Sequence, residues 1–181
     1  MVEKNYISHI LEAREKRYLY QQTLLQQYQK GLLTVNLNIP GPNKNNSLYC
    51  IFFQVIMVNI LSKFLQINKF CLNDDFIIVS DDAGLYSNII LNTKNMLKLI
   101  HIKKTLIYLE QSNSIFQLLD MDVINIHHKS IIRTNLNINP RKCFLCNKYA
   151  KICAIQKNHT LQELLFFIEQ KINTFVNFYI H

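Results

Sequence analysis

The sequence predicts an α+β fold: one mixed domain over residues 1–181, with a central sheet, flanking helices and a Cys-rich knot before the C-terminal helix. Three observations predict it. β-rich runs alternate with segments of helical periodicity along the chain. No internal repeat or linker divides it. At 181 residues and 49% hydrophobic composition, it is long and apolar enough to bury a core without disulfide staples.

"NYISHILEAREKRYLYQQTLLQQYQ" has good helix formers and neither Gly nor Pro. It predicts an opening helix with Ile7, Ile10, Leu11, Leu24 and Leu25 on the apolar face, ended by Gly31. "LLTVNLNI" then alternates Leu33, Val35, Leu37 and Ile39 against Thr34, Asn36 and Asn38, the period of a strand with one buried face, and "PGPNKNN" stops it. The apolar run "YCIFFQVIMVNILSKFLQI" is the one membrane-span candidate. Gln54, Asn59, Lys63 and Gln66 draw a polar stripe down it, so a buried helix of a soluble domain is expected and no membrane.

"FIIVSDD" and "SNIILNT" read as strands on either side of a turn at Gly84. "NMLKLIHIKKTLIYLEQ" satisfies both periods in places and stays open between helix and strand. "LLDMDVINI" and "SIIRTNL" predict a hairpin through "HHK". In "HTLQELLFFIEQKINTFV", Thr160 precedes Glu163 by three residues as a capping box, and Leu161, Leu164, Leu165, Ile168 and Ile172 recur at helical spacing.

Five cysteines behind a charged rather than apolar opening predict reduced thiols and a cytoplasmic setting. Twenty Lys and Arg against twelve Asp and Glu give +8, which favours an anionic partner, although a Lys- and Asn-rich composition yields the same excess without a ligand. Cys143 and Cys146 are two residues apart, and Cys153 and His159 follow after six and five intervening residues. Soft thiolates and an imidazole at such spacing fit a structural Zn²⁺ site; reduced thiols packed as small hydrophobes are the competing account, and a redox Cys-x-x-Cys lacks the strand-to-helix context. Asp120 and Asp122 share one strand face and offer the hard oxygens that Mg²⁺ takes when it holds a polyphosphate, a spacing equally common on solvated strands. Arg14 and Arg17 share a helix face, Arg133 sits on the strand after the aspartates, and the "NIPGPNK" turn delivers Lys44. Converging, these groups would clamp an anion; singly, each is an ordinary surface charge.

"EAREKR", "LTVNLNIPGPNK", "LLDMDV", "IIR" and "PRKCFLCNKYAKICAIQKNHTLQELL" resemble, in sequence and order, the apo-citrate lyase phosphoribosyl-dephospho-CoA transferase family over essentially the full chain. The resemblance implies a nucleotidyltransferase that attaches triphosphoribosyl-dephospho-CoA to a serine of the citrate lyase acyl carrier protein and releases pyrophosphate. It implies Asp120 and Asp122 on Mg²⁺, with Arg133, Arg14, Arg17, Lys44 and Arg141 around the substrate phosphates. The chain departs from the family's His-Pro-Leu-Gly-Arg run, having Asn113 to Gln117 there, and keeps Gly84 but has Tyr86 where a carboxylate is expected. A missing phosphate-pairing arginine implies an impaired enzyme. Two alternatives stand beside it: a carrier-binding remnant without activity, and a small zinc-containing nucleic-acid-binding module. The scattered basic residues make nucleic acid the weaker partner.

Overall fold

The computed structural model describes residues 2–72 and 76–180. Helix α1 (Val2–Tyr28) leads into β1 (Leu32–Leu37); α2 (Ser47–Ile56), a π-helical turn (Met57–Leu61) and α3 (Ser62–Ile67) form one rod. The hairpin β2 (Ile78–Asp81) and β3 (Gly84–Ile90) precedes α4 (Met96–Ser112), a 3₁₀ turn (Ser114–Leu118) and β4 (Leu119–Ile124). A second 3₁₀ turn (Arg133–Leu136), the short α5 (Ala150–Ile155) and α6 (Leu161–Ile180) complete the chain. The strands pair antiparallel in the order β2-β3-β1-β4, so the α+β expectation holds.

Strand periodicity sorts the two faces of this sheet. Leu33, Val35, Leu37, Leu85, Ile89, Leu119, Met121 and Val123 point to the main core, where they meet Phe52, Phe53, Ile56, Leu99, Ile102, Ile168 and Ile172 from the helices. Gln54, Asn59, Lys63 and Gln66 all lie exposed. The rod is long and apolar enough to span a membrane by length and composition, but its apolar side is spent on this core. On the opposite face α1 covers a smaller cluster of Leu24, Leu25, Leu32 and Ile124. Farther along, that face turns polar, with Asn36 opposite Asp120 and Thr34 opposite Asp122.

The outer edge of β4 is capped rather than paired along its length. The Leu119 carbonyl accepts from Arg141, the Met121 carbonyl from Lys103 at 2.7 Å, and the Val123 carbonyl from the Ile131 amide. Cations and a single bridge thus blunt an edge that would otherwise template another strand.

Several expectations need correcting. Ile7 and Leu11 are exposed, because α1 turns Ala13, Arg17 and Leu25 inward instead. The chain leaves α1 through Gln29 in a left-handed conformation (φ 50°) rather than through Gly31. Gly31 serves close packing, since a Cβ there would run into a Leu99 methyl. Gly84 is the first residue of β3, and the turn is made by Asp82 and Ala83. The segment left open is helix α4, capped by Asn95, whose side chain accepts from the Lys98 amide. "SIIRTNL" is not a strand: after one bridge between Ile124 and Ser130 it coils into the 3₁₀ turn that starts at Arg133. Asn125 organises the preceding turn by accepting from the His127 and Lys129 amides, with His128 at φ 60° in the place a glycine would take. The capping box at Thr160 and Glu163 forms in full, amide and hydroxyl bonds in both directions.

Candidate active site

Two adjoining hollows open beside the polar stretch of the sheet. The first, about 310 Å³, is lined by Arg14, Arg17, Asn36, Asn38, Lys44 and Asp120 among others. Arg14 and Arg17 reach it from successive turns of α1, the helix that crosses this sheet face. The "NIPGPNK" turn brings in Lys44, with Gly41 at φ 84° where its Cβ position meets Leu161.

Arg17 is largely committed within the fold. Its Nε and one terminal nitrogen grip both oxygens of Asp81 at 2.8 and 2.5 Å, that nitrogen also donates to the Gly84 carbonyl, and the other donates to Asn36. The Tyr86 ring lies 4.0 Å beneath the guanidinium. With five donors available, this leaves one N–H for a ligand. Lys44 donates to the Ile39 carbonyl, and burial followed by the Arg14 charge holds its ammonium below the usual lysine range. Arg14 has no ion-pair partner among the described residues. A half-buried ammonium beside an unpaired guanidinium is a site that gains from an anion.

The second hollow, about 440 Å³, is lined by Asn38, Glu110, Gln117, Arg133, Arg141 and Tyr149 among others. Buried Glu110, from the end of α4, is its electrostatic centre: Arg133 reaches it at 2.5 Å and the Arg141 Nε at 2.9 Å. Arg141 also donates to Asp120 at 2.9 Å. That ion pair joins the two hollows, since Asp120 lines the first and Arg141 the second.

Of the residues expected to act together, the structure brings Arg14, Arg17, Lys44 and Asp120 into one hollow, and Arg133 and Arg141 into its neighbour. Asp122 shares the strand face with Asp120 but lines neither; Lys103 neutralises it at 3.1 Å. Arg133 reaches the site from a 3₁₀ turn rather than a strand. Glu110, Lys103 and Asp81 join the site without a sequence motif of their own. Lys103 and Glu110 fall on the buried side of α4 with Leu99, Ile102 and Leu106. Charges at apolar-stripe positions signal buried ion pairs once the segment is read as a helix.

Beyond the second hollow, one ligand atom from each of Cys143, Cys146, Cys153 and His159 lies within 4.8 Å of the others. Burial pushes the Cys143 thiol up, but hydrogen bonds at the Leu145 and Cys146 backbone and with the other two thiols outweigh it and leave it below its ordinary value. The Cys153 thiol is pushed up to about 11 by burial and by those same thiol contacts. Three sulfurs and an imidazole nitrogen so arranged are a donor set for a metal ion.

A family model described as apo-citrate lyase phosphoribosyl-dephospho-CoA transferase matches residues 5–175. The chain is 31% identical over 175 residues to a "Probable apo-citrate lyase phosphoribosyl-dephospho-CoA transferase" of Streptococcus pyogenes serotype M3, covering 94% of this chain and 87% of that protein. It is 35% identical over 165 residues to "Protein CitXG" of Leuconostoc mesenteroides subsp. cremoris, covering 89% of this chain and 33% of that longer protein. Identity to "Protein CitXG" of Haemophilus influenzae is 30% over 156 residues, 86% of this chain and 32% of that one.

Proposed function

This chain belongs to the apo-citrate lyase phosphoribosyl-dephospho-CoA transferase family, and from that premise we propose that it attaches triphosphoribosyl-dephospho-CoA to a serine of the citrate lyase acyl carrier protein. In this reading residues 1–181 are one transferase domain acting in the cytoplasm. The serine oxygen attacks the phosphorus nearest the ribose, the bond from that phosphorus to the next bridging oxygen breaks, and pyrophosphate leaves. The serine proton passes to solvent or to pyrophosphate. No nucleophile is asked of this chain.

The observation that carries the reading is the convergence of Arg14, Arg17 and Lys44 on one hollow of about 310 Å³ beside Asp120. Phosphoryl chemistry depends mainly on alignment and on neutralising charge spread over the phosphoryl oxygens. Arg14 and Lys44 have cationic capacity to spare, while Arg17 lends one remaining N–H and a positive field. Arg133 and Arg141, oriented by Glu110, hold the adjoining wall.

Asp120, which lines the first hollow, fits Mg²⁺ as a hard oxygen donor, and Asp122, outside both hollows, would join it from the same strand face. Asp120 pairs with Arg141 and Asp122 with Lys103 through their Oδ1 atoms, at 2.9 and 3.1 Å. When bound with substrate, Mg²⁺ would supply charge neutralisation at the phosphates.

Incubating the carrier protein with the purified chain, triphosphoribosyl-dephospho-CoA and Mg²⁺ tests the proposal. The expected result is a carrier mass increased by the prosthetic group, with pyrophosphate released. An unchanged mass at saturating substrate overturns it. Carrier binding without a mass gain would favour the remnant reading, whose supporting observation is Gln117 in the second hollow, at the position where the family run ends in arginine.

A further inference from the structure

We infer that Cys143, Cys146, Cys153 and His159 bind one zinc ion, and that this ion positions Arg141 in the cleft. The metal half stands on its own; the consequence for transfer rests on the function proposed above.

Distances come first. The Cys146 and Cys153 sulfurs are 3.8 Å apart. A tetrahedron with Zn–S bonds of about 2.3 Å has S···S edges of about 3.8 Å, so this pair already has the spacing of two ligands. The remaining ligand atoms, none more than 4.8 Å from another, need only small rotamer shifts to close on the same centre.

Next comes an unexplained polar atom. His159 Nε2 is buried and has no hydrogen-bond partner. Buried ring nitrogens ordinarily find one, and one nitrogen of this same ring lies within 4.8 Å of the three sulfurs, where a metal would engage the imidazole. Soft sulfur with imidazole selects zinc over the hard cations that carboxylates bind.

The local fold also lacks another source of stability. Among residues 141–160, Cys153 alone is fully buried, so the loop has almost no apolar core of its own. Its backbone is nonetheless tied by hydrogen bonds. Cys143 and Lys148 close a tight loop at 2.8 Å, Lys142 bridges Tyr149, and the Ala150 amide donates to the Arg141 carbonyl at 2.8 Å. Helix α5 supplies Cys153, and the Asn158 amide returns to the Cys153 carbonyl just before His159. Three short segments without a core, each delivering a soft ligand to one point, are what a structural zinc holds together.

Arg141 sits at the base of this loop, two residues before Cys143, with its carbonyl tied to α5. Its side chain pairs with both Glu110 and Asp120, and Phe144 and Tyr149 of the loop line the same hollow. Fixing the loop therefore fixes where that guanidinium can reach. Arg141 is the group through which the ion acts on the cleft.

The test starts with metal analysis of reduced protein purified without chelator: about one zinc per chain is expected. Cobalt substituted for zinc should give a sulfur-to-metal charge-transfer band and intense tetrahedral d–d absorption. Cys146→Ser and His159→Ala should lose the ion. Because such variants can misfold, wild-type protein stripped by a chelator is measured in parallel by hydrogen exchange, where faster exchange confined to residues 141–160 is expected. Protein free of zinc that takes up no cobalt, whether its thiols are free or joined as a Cys146–Cys153 disulfide, overturns the metal site. For positioning, the stripped protein should transfer at least tenfold more slowly at saturating substrate, with KM for the carrier protein little changed and full recovery on adding zinc. Unchanged turnover after stripping overturns that half. A zinc-loaded protein that modifies no carrier overturns the transferase reading and leaves the metal site standing.

Discussion

Replacing Arg17 by Met should cost the fold several kcal/mol. The guanidinium makes four hydrogen bonds, two to Asp81 and one each to Asn36 and the Gly84 carbonyl, and covers the Tyr86 ring. Its side chain is 9% exposed and that of Asp81 25%. Removing one partner of a buried ion pair typically costs about 3–5 kcal/mol. Asp81 keeps some solvent and its bond from the Ala83 amide, which reduces the figure to roughly 2–4 kcal/mol. In a chain of this size each kcal/mol moves Tm by about 2–4 °C, so a fall of roughly 5–15 °C is expected. Thermal and urea unfolding of wild type, Arg17→Met, Asp81→Leu and the double variant measure it. The double variant should be less damaged than the sum of the singles, because neither charge is then left alone. A Tm drop under about 2 °C, or strict additivity, would refute the anchoring role and return Arg17 to a purely phosphate-binding one.

Three other outcomes follow from the same geometry. Glu110→Gln strands two arginines around a neutral amide and should cost about 3 kcal/mol in urea unfolding while lowering transfer; full stability would mean the cluster is not coupled. Lys44, held below 10.5 by burial and by Arg14, binds an anion only as the ammonium. Its contribution to affinity is therefore complete well below its lowered pKa and lost as pH climbs through that value, before reaching the ordinary lysine range. A pH series of KM for the triphosphate substrate should show this alkaline rise, and Lys44→Arg should move it upward; an unmoved limb assigns it to another group. Gln117→Arg, which returns a cation to the second hollow, should raise turnover, and no gain in single-turnover assays would detach that position from the chemistry.

What the sequence makes legible is what depends on near neighbours. The capping box at Thr160, the alternation of β1 and the polar stripe on α2 and α3 are each set within a few turns of chain. The thiol cluster was visible for the same reason, since its four ligands span only residues 143–159. The ion pairs are different. Arg17 and Asp81 are 64 residues apart and meet only because β2 and β3 lie under α1 in the sheet order β2-β3-β1-β4. Nothing local announces that pairing, so Arg17 read as a free phosphate ligand when most of its donors are engaged in the fold. Glu110 and Lys103 are hidden because the α4 segment satisfies two periodicities, so its buried stripe cannot be drawn from the sequence. The β-rich composition of "SIIRTNL" predicts a strand at Arg133, yet only its first residues pair, with the outer edge of β4, before the chain turns back toward Glu110.

The most direct measurement is the intact mass of the acyl carrier protein after single-turnover incubation with substrate and Mg²⁺, comparing wild type with Arg14→Ala, Lys44→Ala and Asp120→Asn, each first checked for a native unfolding midpoint. The hollow beside Asp120 predicts a shifted carrier mass with wild type and at least a tenfold slower shift with each variant. Wild-type rates from all three would show that the transfer happens somewhere else on this protein.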